Sequence, residues 1–159
     1  MGHPNSTSKL VSSSQVVMTQ LVLPSHTNSL DTVFGGTVMS WIDIAAAIAA
    51  QRHSNKAVVT ASIDQLDFIA PIKKGWVVNL KASVNFASRT SMEVGVRVDA
   101  ENPLTSEKFH TASAYMTFVA LGSDGKPSEV PGLILENDTE RRRFEAGRKR
   151  REVRLNSRK

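Results

Sequence analysis

The stretch that decides the fold is FGGTVMSWIDIAAAIAAQ, residues 34–51. From Thr37 onward it is rich in alanine and lacks proline, a composition that favours α-helix. The stretch is longer than a typical strand and apolar on nearly every side, which predicts a helix buried on most of its faces. Asp43 carries the only charge between Thr37 and Gln51. Because a buried carboxylate without a partner is costly, the position of Asp43 needs an explanation.

The rest of the chain has the two-residue period of β-strands. A β-rich run before the helix stops at Pro24, and four segments after the helix alternate apolar and polar residues. These five predicted strands are residues 16–23, 57–68, 76–87, 91–101 and 109–121. The connections between the last four are short and contain no second helix, so the strands should be antiparallel. We predict an α+β fold in which one antiparallel sheet curls around one long helix.

The two ends of the chain differ from this middle part. Residues 1–14 are polar, rich in Ser and Thr, and lack the apolar segment of a signal peptide, so we expect a disordered lead. Residues 15–136 form the predicted domain. Residues 137–159 are predicted to form a charged C-terminal helix or tail, and ten of the 20 Lys and Arg residues lie between 141 and 159. Such a tail is typical of a solvated or anion-binding segment.

Composition and spacing argue against several classes of protein. There is no cysteine, and the histidines have no metal-ligand spacing, so we expect neither disulfides nor a metal site. No apolar run is long enough to cross a membrane, and one Tyr and two Trp give no stacking platform for nucleic acid. A G-x-S-x-G nucleophile elbow is also missing, which leaves a Ser-His-Asp triad without support.

Several linked segments resemble a known family. FGGTVMSWIDIAAAIAAQRHS, VVTASIDQLDFIAPIKKG and ASRTSMEV occur in the order found in hotdog-fold acyl-CoA thioesterases, and the resemblance covers about residues 16–150. It is most specific to the group of bacterial acyl-CoA hydrolases and the brain-type acyl-CoA hydrolase. The resemblance implies a cytoplasmic homo-oligomer. Its dimers would join sheets edge to edge, with the active site at the dimer interface, and would assemble into a trimer of dimers.

The same resemblance implies an activity and its catalytic residues. Acyl-CoA and water would give a fatty acid and free CoA, with no further cofactor. Asp43 would be the general base or a nucleophile, Asn28 would act with Asp43 of the partner subunit, and the helix N-terminus at Gly36 would stabilise the oxyanion. The residues alone leave simpler roles open: a solvent-facing Asp43 or one that binds a buried donor, an Asn28 that caps a turn, and glycines that make a tight turn. The loop departs from close relatives at His26 and Asp31, and a carboxylate there would compete for the role of base.

Further residues are candidates for substrate binding. Gly35 leaves the backbone bare at the helix start, and Thr60 and Ser62 lie on the next strand, where they could line the same pocket. Arg89, Thr90 and Ser91 form a short connection that could bind the phosphates of CoA or could simply be a polar hairpin turn. Two other functions stay open: a non-catalytic acyl-CoA-binding module that acts as a sensor, and a hotdog hydroxyacyl dehydratase. The acyl chain length is not determined by the sequence.

Overall fold

The computed structural model describes residues 7–158. Along the chain, the helices and strands are β1 (Lys9–Leu10), β2 (Val16–Leu21), α1 (Gly35–Ser54), β3 (Ala57–Phe68), β4 (Val77–Ala87), β5 (Ser91–Asn102), β6 (Glu107–Leu121), β7 (Leu133–Ile134) and α2 (Asp138–Ser157). Every helix and strand predicted from the sequence is present, with ends that shift by no more than three residues. No helix within residues 7–158 is long and apolar enough to cross a membrane.

Five strands form one antiparallel sheet in the order β2-β4-β5-β6-β3. In β4, Val78, Leu80, Ala82 and Val84 are buried on the face against which α1 packs. Strand alternation therefore creates one apolar face, as expected for an antiparallel sheet covered on that side. The arrangement confirms the predicted α+β hotdog fold, an antiparallel sheet around one central helix.

The central helix approaches the sheet through small residues. Ala45, Ala46 and Ala49 are completely buried, and the absence of longer side chains lets the helix lie close to the strands. On the other side of α1, Met39 and Ile44 remain 38% and 50% exposed. Within one protomer, the expected burial of α1 thus applies to its sheet side, while an apolar face on the other side remains uncovered.

Strand β3 forms one edge of the sheet. It follows α1 directly and pairs on one side only, with β6. Val59 and Ile63 on this strand are almost half exposed. A long, apolar, unpaired edge is a template for pairing with another strand.

The C-terminal helix α2 packs on the opposite, outer face of the sheet. Phe144 lies against Phe86 with ring centroids 4.9 Å apart. Arg150 binds Glu93, whose neighbours along β5 point toward α1. Asn137 is the N-cap residue of the helix, and its side chain accepts a hydrogen bond from the backbone N–H of Glu140. This confirms the predicted charged helix and shows that it covers part of the sheet.

The N-terminal lead differs in part from the expected disorder. Residues 1–6 of that predicted lead lie outside the described residues. Further along, β1 pairs in parallel with β7, and Val11 in the following short turn is buried. The side chain of Val11 thus finds cover against the domain, which the mainly polar composition of the lead did not indicate.

Candidate functional site

Asp43 has a partner on the neighbouring strand. Its Oδ1 accepts a hydrogen bond from the Thr60 hydroxyl on β3 at 2.7 Å, and the residue is half-buried. Within the described residues, Oδ2 of Asp43 has no hydrogen-bond partner. One carboxylate oxygen is therefore fixed while the other remains available to accept a proton.

The N-terminus of α1 is open and uncapped. Phe34 occupies the N-cap position without a side-chain hydrogen bond, and Gly35 and Gly36 are exposed. A Cβ added to Gly36 would meet no atom within 4 Å, so a ligand can approach the backbone closely. Free N–H groups and the positive end of the helix dipole favour negative charge there.

The helix geometry relates this terminus to Asp43. Gly36 and Asp43 are seven residues apart, which places them on the same face of α1 and about 10 Å apart along its axis. The exposed Met39, four residues before Asp43, lies on the same face, which is directed away from the sheet. Both groups are therefore directed toward the open side of the protomer.

An apolar cavity of about 290 Å³ adjoins the helix start. It is lined by Thr32, Val33, Gly35, Val38 and residues 68–72. No site role was predicted for residues 68–72, although Phe68 and Ile69 begin a run of apolar residues that does not alternate and contains Pro71. In the structure both side chains are more than half exposed. The sequence signal for this cavity wall was an apolar run without alternation that follows an edge strand.

Asn28 shapes the loop before the helix. Its Oδ1 accepts hydrogen bonds from the backbone N–H of Leu30 at 2.9 Å, and from the N–H and hydroxyl of Thr32 at 3.2 Å each. The turn-forming role left open by the sequence is thus present. Within the described part of the chain, the Nδ2 group of Asn28 donates to no acceptor and makes no bond to Asp43. This leaves two amide hydrogens free for a ligand or for a second protomer.

The two unusual loop residues have structural partners. The ring of His26 contacts Trp41 edge to face, at 5.1 Å between centroids, and its carbonyl accepts the N–H of Phe34. Asp31 adopts a positive φ of 58° and its exposed carboxylate lies 3.6 Å from the ammonium group of Lys74. His26 therefore ties the loop to α1, while Lys74 holds Asp31 at the surface.

The structure separates Ser62 from Thr60. Two residues apart on a regular strand would share a face, but the pairing with β6 shifts register between them. The Ser62 hydroxyl donates to Asp64, which also binds Arg154 of α2. Thr60 thus faces the central helix, and Ser62 belongs to contacts made with the C-terminal helix.

The connection Arg89, Thr90 and Ser91 lies at the tip of the β4–β5 hairpin. Ser91 is opposite Val119 on β6, which in turn is opposite Val59 on β3, so it lies about 10 Å across the sheet from the Thr60 region. Arg89 is exposed, and in residues 7–158 its guanidinium has no side-chain partner. It is available to an anionic ligand that runs along this end of the sheet.

A Ser-His-Asp hydrogen-bond chain occurs on the outer face. Ser113 Oγ lies 2.9 Å from Nε2 of His110, whose Nδ1 lies 3.2 Å from Asp99. Asp99 also accepts from Arg97 through both oxygens. Ser113 sits in a strand that is paired on both sides, so the neighbouring N–H groups are used by the sheet. Within the described residues, this Ser113–His110–Asp99 arrangement therefore has no free pair of N–H groups beside the serine, which an acyl-transfer site requires.

The described residues contain no group of three or more His, Cys, Asp or Glu that could hold a metal ion. The site therefore consists of the Asp43–Thr60 pair, the bare helix start and the apolar cavity beside it. A carboxylate base, free N–H groups and an apolar cavity, on a sheet wrapped around one helix, are the features of a hotdog-fold hydrolase that acts on an acyl ester or thioester.

Comparisons with known proteins agree with this class. Residues 30–107 match the model of the Thioesterase superfamily. The chain is 44% identical over 127 residues to the uncharacterized acyl-CoA thioester hydrolase YkhA of Bacillus subtilis, covering 80% of this chain and 74% of that one. It is 39% identical over 142 residues to the cytosolic acyl coenzyme A thioester hydrolase of Mus musculus. That match covers 88% of this chain but only 37% of the mouse protein.

Solved structures give the same result. An apo-hexameric acyl-CoA thioesterase superposes with a TM-score of 0.91 at 42% identity, covering 95% of this chain and 97% of that one. An acyl-CoA hydrolase from Staphylococcus aureus, solved in complex with butyryl coenzyme A and coenzyme A, gives 0.88 at 40% identity, with 94% and 92% covered. That enzyme has also been solved with alanine at its Asp43, Asn28 or Thr60, and this chain has the same residue types at these numbers.

The chain belongs to the Thioesterase superfamily and, within it, to the acyl-CoA thioester hydrolases.

Proposed function

We propose that the protein hydrolyses fatty acyl-CoA to a free fatty acid and CoA, with Asp43 as general base and the N–H groups at Gly36 as oxyanion donors. The observation that carries the proposal is the Thr60–Asp43 hydrogen bond of 2.7 Å on the open face of α1, which leaves Oδ2 of Asp43 free to accept a proton. Support also comes from the S. aureus enzyme, in which the residues of the same type and number were chosen for substitution.

The chemistry follows from these groups. The thioester oxygen binds at the N–H of Gly36, where the helix dipole stabilises the charge that develops on it. Oδ2 of Asp43 takes a proton from a water molecule, and the water oxygen attacks the thioester carbon. The tetrahedral intermediate then collapses, the C–S bond breaks, and the CoA thiolate takes the proton held by Asp43, which returns to its carboxylate form. Thr60 keeps Asp43 in one rotamer throughout, so that the free oxygen points at the water.

A second protomer completes this site. Water must lie within about 3–3.5 Å of the carbon it attacks, whereas about 10 Å of helix separates Gly36 from Asp43 in one chain. If Asp43 acts with Gly36 and Asn28 of the partner, the chemistry no longer has to span that distance. The unpaired edge of β3 and the exposed Ile44 provide an apolar surface for such a dimer. The hexameric relative favours a trimer of dimers, and the cytosolic mouse relative favours a cytoplasmic location.

The substrate extends in two directions from the thioester. The apolar cavity lined by Val33, Val38 and Phe68 would take the acyl chain. Arg89, with Thr90 and Ser91, would bind phosphates of CoA at the hairpin tip, because a guanidinium and hydroxyl groups suit phosphate oxygens. Gly35 would allow close approach of the thioester beside the cavity. The hydroxyl of Ser62 donates to Asp64 within the protomer. Ser62 would therefore contact a substrate only if that substrate were bound by a neighbouring protomer of the oligomer.

The first experiment measures thiol release from acyl-CoA of several chain lengths by the wild type and by Asp43→Asn. Asp138→Asn is the matched control, because Asp138 is a fully exposed carboxylate whose loss makes the same charge change. Since the chain has no cysteine, every thiol detected is CoA. We expect kcat to fall by about 10²-fold or more in Asp43→Asn only. Tight acyl-CoA binding without turnover in the wild type would instead indicate a sensor, and dehydration of a hydroxyacyl-CoA would indicate a dehydratase.

A mixing experiment tests the shared site. Asp43→Asn and Asn28→Ala protomers are each expected to be nearly inactive alone. In a mixed dimer, one site would receive intact Asp43 from one chain and intact Asn28 from the other. Random co-assembly in equal amounts would then restore about a quarter of the wild-type activity. If co-assembled protomers stay inactive, Asp43 and Asn28 do not act across the interface.

A further inference from the structure

A second, larger cavity lies on the outer face of the sheet, under α2. Its volume is about 400 Å³, and side chains of β4, β5, β6 and α2 line it together with residues 15–17. The sheet separates it from α1, so within a protomer it is not part of the Asp43 site. The volume is within the usual range for pockets that bind small molecules.

The lining of this cavity is strongly cationic. Its charged residues are Lys81, Arg97, Arg142, Arg143 and Arg150, and no Asp or Glu belongs to the lining. Glu93 neutralises Arg150, and Asp99 neutralises Arg97. Within residues 7–158, Lys81, Arg142 and Arg143 form no ion pair and no side-chain hydrogen bond. Three cations thus surround one cavity without a counter-charge.

The distribution of charge on α2 explains why these cations stay unpaired. Arg148 pairs with Glu145 and Glu152, and Arg141 pairs with Asp138, all on the solvent side of the helix. Relative to the buried Gly147, Arg143 is turned by about 40° and Arg142 by about 140°, so Arg143 lies on the sheet side of α2 and Arg142 lies at the rim of the cavity. Within residues 138–157, the carboxylates of α2 pair with Arg141 and Arg148, and none pairs with Arg142 or Arg143, which keep their positive charge at the cavity.

A hydroxyl on the cavity wall also has no partner. Ser83 on β4 lines the cavity, and its Oγ is shielded from solvent without a hydrogen-bond partner in the described residues. A buried hydroxyl without a partner is unfavourable unless a ligand or water satisfies it. A ligand that reaches this hydroxyl at the cavity wall would gain a neutral donor in addition to the three cations.

We propose that this outer-face cavity binds the phosphate group of a small molecule, held by Lys81, Arg142 and Arg143. One guanidinium group can donate two parallel hydrogen bonds to two phosphate oxygens. The compact ammonium group of Lys81 on β4 adds positive charge across the cavity from α2. The apolar side chain of Val17, which is exposed on the outer face, would contact the rest of the ligand. The phosphate could belong to a free metabolite or to a CoA bound at a neighbouring protomer, since both offer the same chemistry.

The test is a calorimetric titration of the CoA-free protein with pyrophosphate at low salt. Arg142→Gln/Arg143→Gln is the test variant, and Arg141→Gln/Arg148→Gln is its control with the same charge change on the solvent face of the same helix. We expect pyrophosphate affinity to fall by about 10-fold or more in the test variant and to change little in the control. Lys81→Gln, which leaves α2 unchanged, should weaken binding in the same direction and serves if the double variant does not fold.

Three results would overturn the proposal. The wild type binds no pyrophosphate, or both helix variants lose affinity equally, or binding disappears in Arg89→Gln while surviving in Arg142→Gln/Arg143→Gln. Kinetics then identify the source of the phosphate. A KM that rises for acyl-CoA but not for an acyl-pantetheine thioester in the test variant assigns it to CoA. An unchanged KM together with lost pyrophosphate binding assigns it to a separate ligand. The binding result stands whether or not the protein hydrolyses thioesters.

Discussion

Replacing Arg150 by Met should cost the fold several kcal/mol, although Arg150 lies far from the proposed chemistry. Its guanidinium donates to both oxygens of Glu93, at 2.9 and 2.7 Å, and lies 3.7 Å from the Tyr115 ring. These hydrogen bonds raise the pKa of Arg150 above its ordinary value. Glu93 is only 4% exposed, and its other partner is the amide of Asn85 at 3.2 Å. Without Arg150, the buried carboxylate of Glu93 would have only the neutral amide of Asn85 as a hydrogen-bond donor, and its charge would be unpaired.

The magnitude follows from this burial. Removing one partner of a buried ion pair typically costs about 3–5 kcal/mol. Since 24% of the Arg150 side chain is exposed, water can reach part of the vacated space, and we expect about 3 kcal/mol, near the lower end. For a chain of this size, such a loss lowers Tm by about 6–12 °C. Arg148→Met is the control, because its exposed ion pairs are worth about 0–1 kcal/mol.

Urea unfolding in phosphate-free buffer, at one protomer concentration for all variants, measures the free energy of unfolding. The variant Glu93→Gln/Arg150→Met should be more stable than Arg150→Met alone, because it no longer buries an unpaired charge. Two results would refute the burial of an unpaired Glu93 as the cause. The free energy of unfolding of Arg150→Met would be within about 1 kcal/mol of the wild type, or the added Glu93→Gln would not restore stability.

Two further predictions concern buried positions. Burial holds the pKa of His53 below its ordinary value of 6.5, so the unfolded chain takes up a proton first as pH falls. Stability should therefore decline below about pH 6.5, and urea titrations from about pH 8 to pH 5 should show a shallower decline in His53→Gln; equal slopes would contradict this. Gly147→Ala should destabilise the protein by about 1–3 kcal/mol in thermal unfolding, because the added Cβ would lie 3.0 Å from Phe86 and 3.1 Å from Glu93. In an open helix the same substitution would stabilise, so an increase in Tm would show that α2 can move away from the sheet.

Much of the fold was predictable because its signals are local. The alternation in residues 76–87 and the alanine-rich run after Thr37 identify their own structures through spacing of two residues and composition. The lead was less predictable, since the cover that Val11 finds comes from parts of the chain far away in sequence. Likewise, the exposed face of α1 at Ile44 could not be inferred from an all-apolar pattern, which does not tell which side the sheet covers.

The candidate site was predictable in its residue types and less so in its contacts. Asp43 stood out as a lone charge in an apolar helix, and the resemblance to acyl-CoA thioesterases supplied its predicted role as base. The turn made by Asn28 was one of two roles that its side chain allowed, and the structure shows this turn together with a free amide group. The apolar wall at residues 68–72 was missed because a run without alternation indicates neither a strand nor a site by itself.

By itself the sequence determined the helix, the strands and the placing of one carboxylate among apolar residues, since these depend on neighbours within a few positions. Only the tertiary structure decided that Thr60, and not Ser62, reaches Asp43, because the register shift in β3 turns the two hydroxyls to opposite faces. It also decided that Arg154 meets Asp64, 90 residues away. Such contacts depend on strand pairing and helix packing over the whole domain, and no short stretch of sequence records them.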